Sequence, residues 1–63
     1  MSYETFKTPV DPKWPDYGCN IYKGSKFVEG RIYKNFSGHA MMDEVWYLKQ
    51  FEFPVSKGYK IEW

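Results

Sequence analysis

The sequence predicts a mainly β domain, a small antiparallel sheet preceded by an extended proline-rich arm, and three observations carry that prediction. Short runs rich in β-branched and aromatic residues recur between Gly24, Gly30, Gly38 and Gly58, a strand-and-turn rhythm. The segment Tyr59-Lys60-Ile61-Glu62-Trp63 alternates apolar and charged residues, the period of a half-buried strand. Three of the four prolines, Pro9, Pro12 and Pro15, fall within residues 1–18. There the fixed φ of proline, and its push of each preceding residue toward extended backbone, exclude helix for most of the stretch.

Taken in order, residues 1–18 form the arm and residues 19–63 a single small β-rich domain. Tyr3, Phe6, Trp14 and Tyr17 are the rings by which the arm would anchor on the domain or on a partner. Asn20 to Lys23 and Lys26 to Glu29 flank Gly24-Ser25, which suits a two-residue hairpin with glycine at its first central position. Arg31 to Phe36 and His39 to Met42 flank Ser37-Gly38 as a second hairpin, with Gly30 as a bulge or bend inside the run from Lys26 to Phe36. The stretch from Asp43 to Phe53 admits two readings. As a strand it places Val45, Tyr47, Lys49, Phe51 and Phe53 on one face. As a helix from about His39 to Gln50 it aligns Met41, Val45 and Leu48 behind an N-cap at Ser37. Leu48, Phe51 and Phe53 are core residues in either case. Tyr59, Ile61 and Trp63 would pack inward from the last strand. The strand reading gives a small antiparallel sheet or a partly open, five-stranded SH3-like barrel. The alternative is an α+β domain with one helix near 39–50 on a sheet of three or four strands.

Composition narrows the function classes. A chain of 63 residues buries only about 60% of the surface its unfolded form exposes. Its single cysteine, Cys19, cannot close an internal disulfide, and Cys19 with His39 falls short of the about four ligands of a structural zinc site. The core must be aromatic, because 3 Trp, 6 Tyr and 5 Phe stand beside one leucine and one alanine. Each ring buries roughly 150–250 Å², and so many rings exceed what a core of this size encloses. Several are expected at the surface, where Trp and Tyr dominate binding hot spots. The formal net charge of +1 gives no wholesale attraction to nucleic acid. No long apolar run or basic leader points to a membrane, and a lone free thiol suits the cytoplasm.

No catalytic constellation is legible, so no enzymatic activity, cofactor or small-molecule substrate is expected. Cys19 and His39 carry no local nucleophile signature and read as a buried thiol and a polar turn residue. Asp43 and Glu44, being adjacent, diverge on a strand or a helix and form no carboxylate pair. The first functional reading is therefore a non-enzymatic protein-binding module, an inhibitor, adaptor or assembly component that docks on a larger protein. Its contact residues would be Trp14, Tyr17, Met42, Asp43, Glu44 and Trp46. In this it resembles many compact phage-encoded proteins.

A second reading is single-stranded nucleic acid binding, with Lys23, Lys26, Arg31 and Lys34 on the backbone and Tyr22 and Tyr33 stacking on bases. Lys23-Gly24-Ser25-Lys26-Phe27-Val28 resembles the Lys-Gly-aromatic-Gly-aromatic-aliphatic motif of cold-shock and RRM proteins, with Ser25 and Lys26 in place of a stacking ring and a glycine. In size and aromatic content the chain is also similar to the Tudor and chromo kind of small barrel. That likeness would make Trp46, Tyr47, Phe53, Tyr59 and Trp63 a cage for a methylated lysine.

Overall fold

The computed structural model describes residues 3–63; the first two residues of the arm lie outside the described residues. Strands β1 (Tyr3–Phe6), β2 (Tyr17–Lys23), β3 (Lys26–Tyr33) and β4 (Tyr59–Glu62) form one antiparallel sheet in the order β1-β3-β2-β4. Helix α1 (Gly38–Tyr47) continues directly into a π-helical turn, Leu48–Glu52, followed by a 3₁₀ turn at Val55–Lys57. The fold is thus an open four-stranded sheet with one helix. The expected antiparallel sheet is present; among the described residues it has four strands and does not close into a barrel, and the α+β alternative describes the central stretch.

The β2–β3 hairpin forms where its turn chemistry placed it, around Gly24-Ser25. Gly24 has φ +62° while Ser25 stays at negative φ, the pattern of a turn with glycine first. The bulge is elsewhere than expected. The register shifts between Ile21↔Glu29 and Tyr22↔Phe27, so Val28 is the extra residue, and Gly30 pairs regularly with Asn20 and Phe6.

Ser37-Gly38 is not a second hairpin. The Ser37 hydroxyl accepts a hydrogen bond from the Ala40 amide at 3.2 Å, which caps α1 and satisfies a donor that a turn would leave to water. The strand reading of Asp43–Phe53 is likewise corrected, because the helix buries Met41, Val45 and Leu48 together on the sheet. The alternation at Phe51-Glu52-Phe53 belongs to the π turn, which closes with the Phe53 amide donating to the Leu48 carbonyl at 2.7 Å. That turn brings Phe53 against the core and leaves Phe51 66% exposed, so Phe51 is not a core residue.

Alternation along the strands gives the sheet two faces. On one, Cys19, Ile21, Tyr33 and Ile61 meet the helix in a single cluster, with Phe36, Phe53 and Tyr59 packed at its margin. On the other, the connection from β1 to β2 crosses the sheet as a second, thinner layer. Val10 is buried there. Its amide donates to Asn20 Oδ1 at 2.8 Å, and its carbonyl accepts from Asn20 Nδ2 at 3.2 Å. The Asn20 side chain thereby serves both backbone groups of a residue on a segment with no ladder of its own.

The crossing is close because two glycines lie beneath it. A Cβ on Gly30 would stand 3.0 Å from both Asn20 Oδ1 and Val10 Cγ1, and one on Gly18 would meet the Arg31 carbonyl oxygen and Ile32 Cδ1 at 2.6 Å. The rings of the arm take internal partners as well: Tyr3 lies 5.1 Å from Tyr33, Phe6 5.8 Å from Trp14 and Tyr17 6.1 Å from Trp63 between ring centroids. The radius of gyration, 11.0 Å, matches the about 11 Å of a compact chain of this length.

Candidate functional site

The residues proposed for protein contact fall into two neighbouring groups. Met42 and Trp46 are one helical turn apart and share a flank of α1; Trp46 is 62% exposed and Met42 is also open. Gly38 is the preceding residue on that flank, and the Tyr17 hydroxyl lies 3.5 Å from the position its Cβ would take. Tyr17 in turn sets its ring edge-on to Trp63. Trp46, Met42, Tyr17 and Trp63 therefore follow one another over a single side of the molecule, all exposed.

Trp14 joins them from the other face of the sheet. With Tyr17 and Trp63 it lines a cleft of about 560 Å³ between the proline loop and the end of β4. Asp43 is exposed on the outer surface of α1. Glu44 is turned away from this side and accepts a hydrogen bond from the Tyr33 hydroxyl at 2.9 Å.

Trp63 was expected inside and is exposed. Its alternation with Ile61 does put it on the helix side of the sheet, but α1 begins beside Tyr17. The helix therefore leaves the Tyr17–Trp63 corner uncovered. Tyr47 and Phe51 form a second exposed pair, with centroids 5.1 Å apart. Their spacing of four residues is visible in the sequence, yet the strand and helix readings alike put Phe51 inside.

The nucleic acid set is not brought together. Arg31 is 5% and Tyr33 1% exposed, so neither reaches a phosphate or a base. Tyr22 is half-buried edge-on to Phe27, Lys23 lies over the Tyr59 ring at 5.5 Å, and Lys34 pairs with Glu4. Lys26 alone remains as drawn, at the open end of the hairpin. The methyl-lysine cage does not converge either. Phe53 and Tyr59 pack on each other at the core margin, while Trp46 and Trp63 face solvent.

Arg31 is instead the centre of an internal polar network. Its Nε donates to Glu29 Oε2, its Nη1 donates to the Tyr33 hydroxyl at 3.3 Å, and Glu52 Oε2 lies 3.7 Å from Nη1. The guanidinium is stacked 4.5 Å from the Tyr3 ring and 5.3 Å from the Phe53 ring. Burial disfavours its charge, but the bonds to Tyr33 and Glu29 outweigh this and hold it protonated. Burial also pushes the Tyr33 hydroxyl upward, against the opposing pull of Arg31.

Cys19 and His39 are separated in environment, the thiol buried beneath the helix and the imidazole exposed on its first turn. Burial pushes the Cys19 thiol up to about 11 from 9.0, the reverse of an activated nucleophile. Because the folded form holds the proton more tightly, this contribution to stability is complete below pH 9 and is lost as pH rises toward 11. We expect urea unfolding of the wild type to show a loss on the order of 2 kcal/mol across that interval, with Cys19→Ala losing measurably less. An equal loss in the variant would show that the thiol is not its source.

Among the described residues no group of three or more His, Cys, Asp or Glu is placed to hold a metal, and no helix is long and apolar enough to cross a membrane. No family model matches this chain, and no curated protein or solved structure gives a significant match to it.

Proposed function

We propose that the protein is a non-enzymatic binding module that docks on a larger protein through the side formed by Trp46, Met42, Tyr17, Trp63 and Trp14. The observation that carries this reading is the position of Tyr17, which joins the helix flank to the aromatic cleft. Exposed rings scattered singly would need no explanation; large apolar side chains in sequence over one side resemble the anchor cluster of an interface. The sheet and the crossing loop supply a rigid base, so little ordering is required at the moment of contact.

A photo-crosslinking amino acid placed at position 46, and separately at position 28, tests this in extracts from cells that express the protein. Position 28 lies on the bulge of β3 and is also solvent-facing. The expected result is one discrete adduct from position 46, competed by unlabelled protein, and none from position 28. Equal or diffuse labelling from the two positions contradicts the assignment.

A further inference from the structure

We infer that the cleft between the proline loop and β4 receives the arginine side chain of a basic segment on the docked protein. The inference rests on the docking function proposed above and specifies the chemistry of the partner. Its lining residues include three aromatics, Trp14, Tyr17 and Trp63, and three acids, Asp11, Asp16 and Glu62, with no lysine, arginine or histidine among them. At about 560 Å³ it falls within the roughly 300–1,000 Å³ of ligand-sized sites.

The carboxylates differ in what they already hold. Glu62 is engaged by Lys60 at 3.0 Å. One Asp11 oxygen accepts the Lys13 amide at 2.8 Å, leaving the other unused. Among the described residues no cation stands within ion-pair distance of Asp11 or Asp16. Rings beside uncommitted carboxylates are the surroundings a guanidinium selects, since its plane stacks on an aromatic face while its edge donates to a carboxylate. The protein already uses half of that chemistry internally, where Arg31 stacks on Tyr3 and Phe53. Among the residues that line the cleft, aromatics and acids stand together and no cation is included.

The three tryptophans of the chain report on this directly, because Trp14 and Trp63 line the cleft while Trp46 sits on the helix flank. Indole N–H signals of the ¹⁵N-labelled protein are followed while a short glycine-serine peptide with two arginines is added, and again with the same peptide carrying citrulline. We expect the arginine peptide to shift Trp14 and Trp63 but not Trp46, and the citrulline peptide to bind at least about three-fold more weakly. The double variant Asp11→Asn/Asp16→Asn should weaken arginine binding about three- to ten-fold. Both sites are exposed, and asparagine keeps the acceptor for the Lys13 amide, so the fold is retained.

Equal affinity for the two peptides, shifts confined to Trp46, or no binding of the arginine peptide overturns the inference. The crosslink from position 46 does not pass through the cleft, so its presence alongside such a result would leave the docking function standing and remove only the arginine assignment. Its absence would remove the docking function itself.

Discussion

Replacing Gly18 by alanine is expected to remove up to about 3 kcal/mol of the protein's stability. A Cβ at this position would stand 2.6 Å from the Arg31 carbonyl oxygen and from Ile32 Cδ1, and 3.4 Å from Val10 Cγ2. The side chain of Ile32 can rotate. The carbonyl cannot withdraw without parting β2 from β3, whose register pairs Gly18 with Ile32.

Overpacking of this kind costs about 1–3 kcal/mol, at the upper end when backbone must move, whereas a domain of 63 residues has about 3–9 kcal/mol in total. Gly38→Ala is the matched control. Its Cβ meets only the Tyr17 hydroxyl, at an ordinary 3.5 Å, and alanine favours helix, so the same substitution should be neutral or stabilising by up to about 1 kcal/mol. Urea titrations followed by circular dichroism separate the two. Similar midpoints for both variants would mean that Gly18 does not lie as close to the Arg31 carbonyl and Ile32 as described.

The second large effect is at Arg31. Arg31→Ala removes the cation between Glu29, Glu52 and the Tyr33 hydroxyl and empties the space between the Tyr3 and Phe53 rings. Taking one partner from a buried ion pair costs about 3–5 kcal/mol. Glu29 and Glu52 retain some contact with water, which places the expected loss near the lower figure. Arg31→Met leaves the same carboxylates unpaired but keeps the packing between the rings, so it should recover the part of that loss that comes from side-chain volume. If Met is as damaging as Ala, the network contributes through its charges rather than through the volume of the side chain.

Local chemistry accounts for what was legible beforehand. The Gly24-Ser25 turn and the alternation of Tyr59–Glu62 specify their structure within a few residues, and both were readable. The Asp43–Phe53 stretch was not, because its outcome depends on tertiary partners. Its polar residues do not gather on one side of a helix, since Met42, Trp46, Tyr47 and Phe51 occupy positions that solvent takes in an ordinary amphipathic helix. The same excess of exposed rings that signalled an interaction surface thus blurred the pattern that identifies the helix.

Arg31 and Tyr33 were misplaced for a related reason: among aromatics and lysines they read as surface cation and ring. Only the pairing of β3 with both β1 and β2 shows that their strand is central. The arm was legible as extended, but its course was not, because the Val10–Asn20 bonds and the two glycines beneath the loop join residues distant in sequence.

The central claim is that the rings of the Tyr17–Trp46 side lie outside the core and serve contact. The double variant Tyr17→Ser/Trp46→Ser tests it most directly, with unfolding free energy and affinity for the crosslinked partner measured on the same preparation. The expected result is a stability within about 1 kcal/mol of wild type and a loss of affinity of at least about 30-fold, since Trp and Tyr anchors contribute about 2 kcal/mol or more each. A variant that unfolds, or one that stays folded and binds as wild type does, would contradict the account.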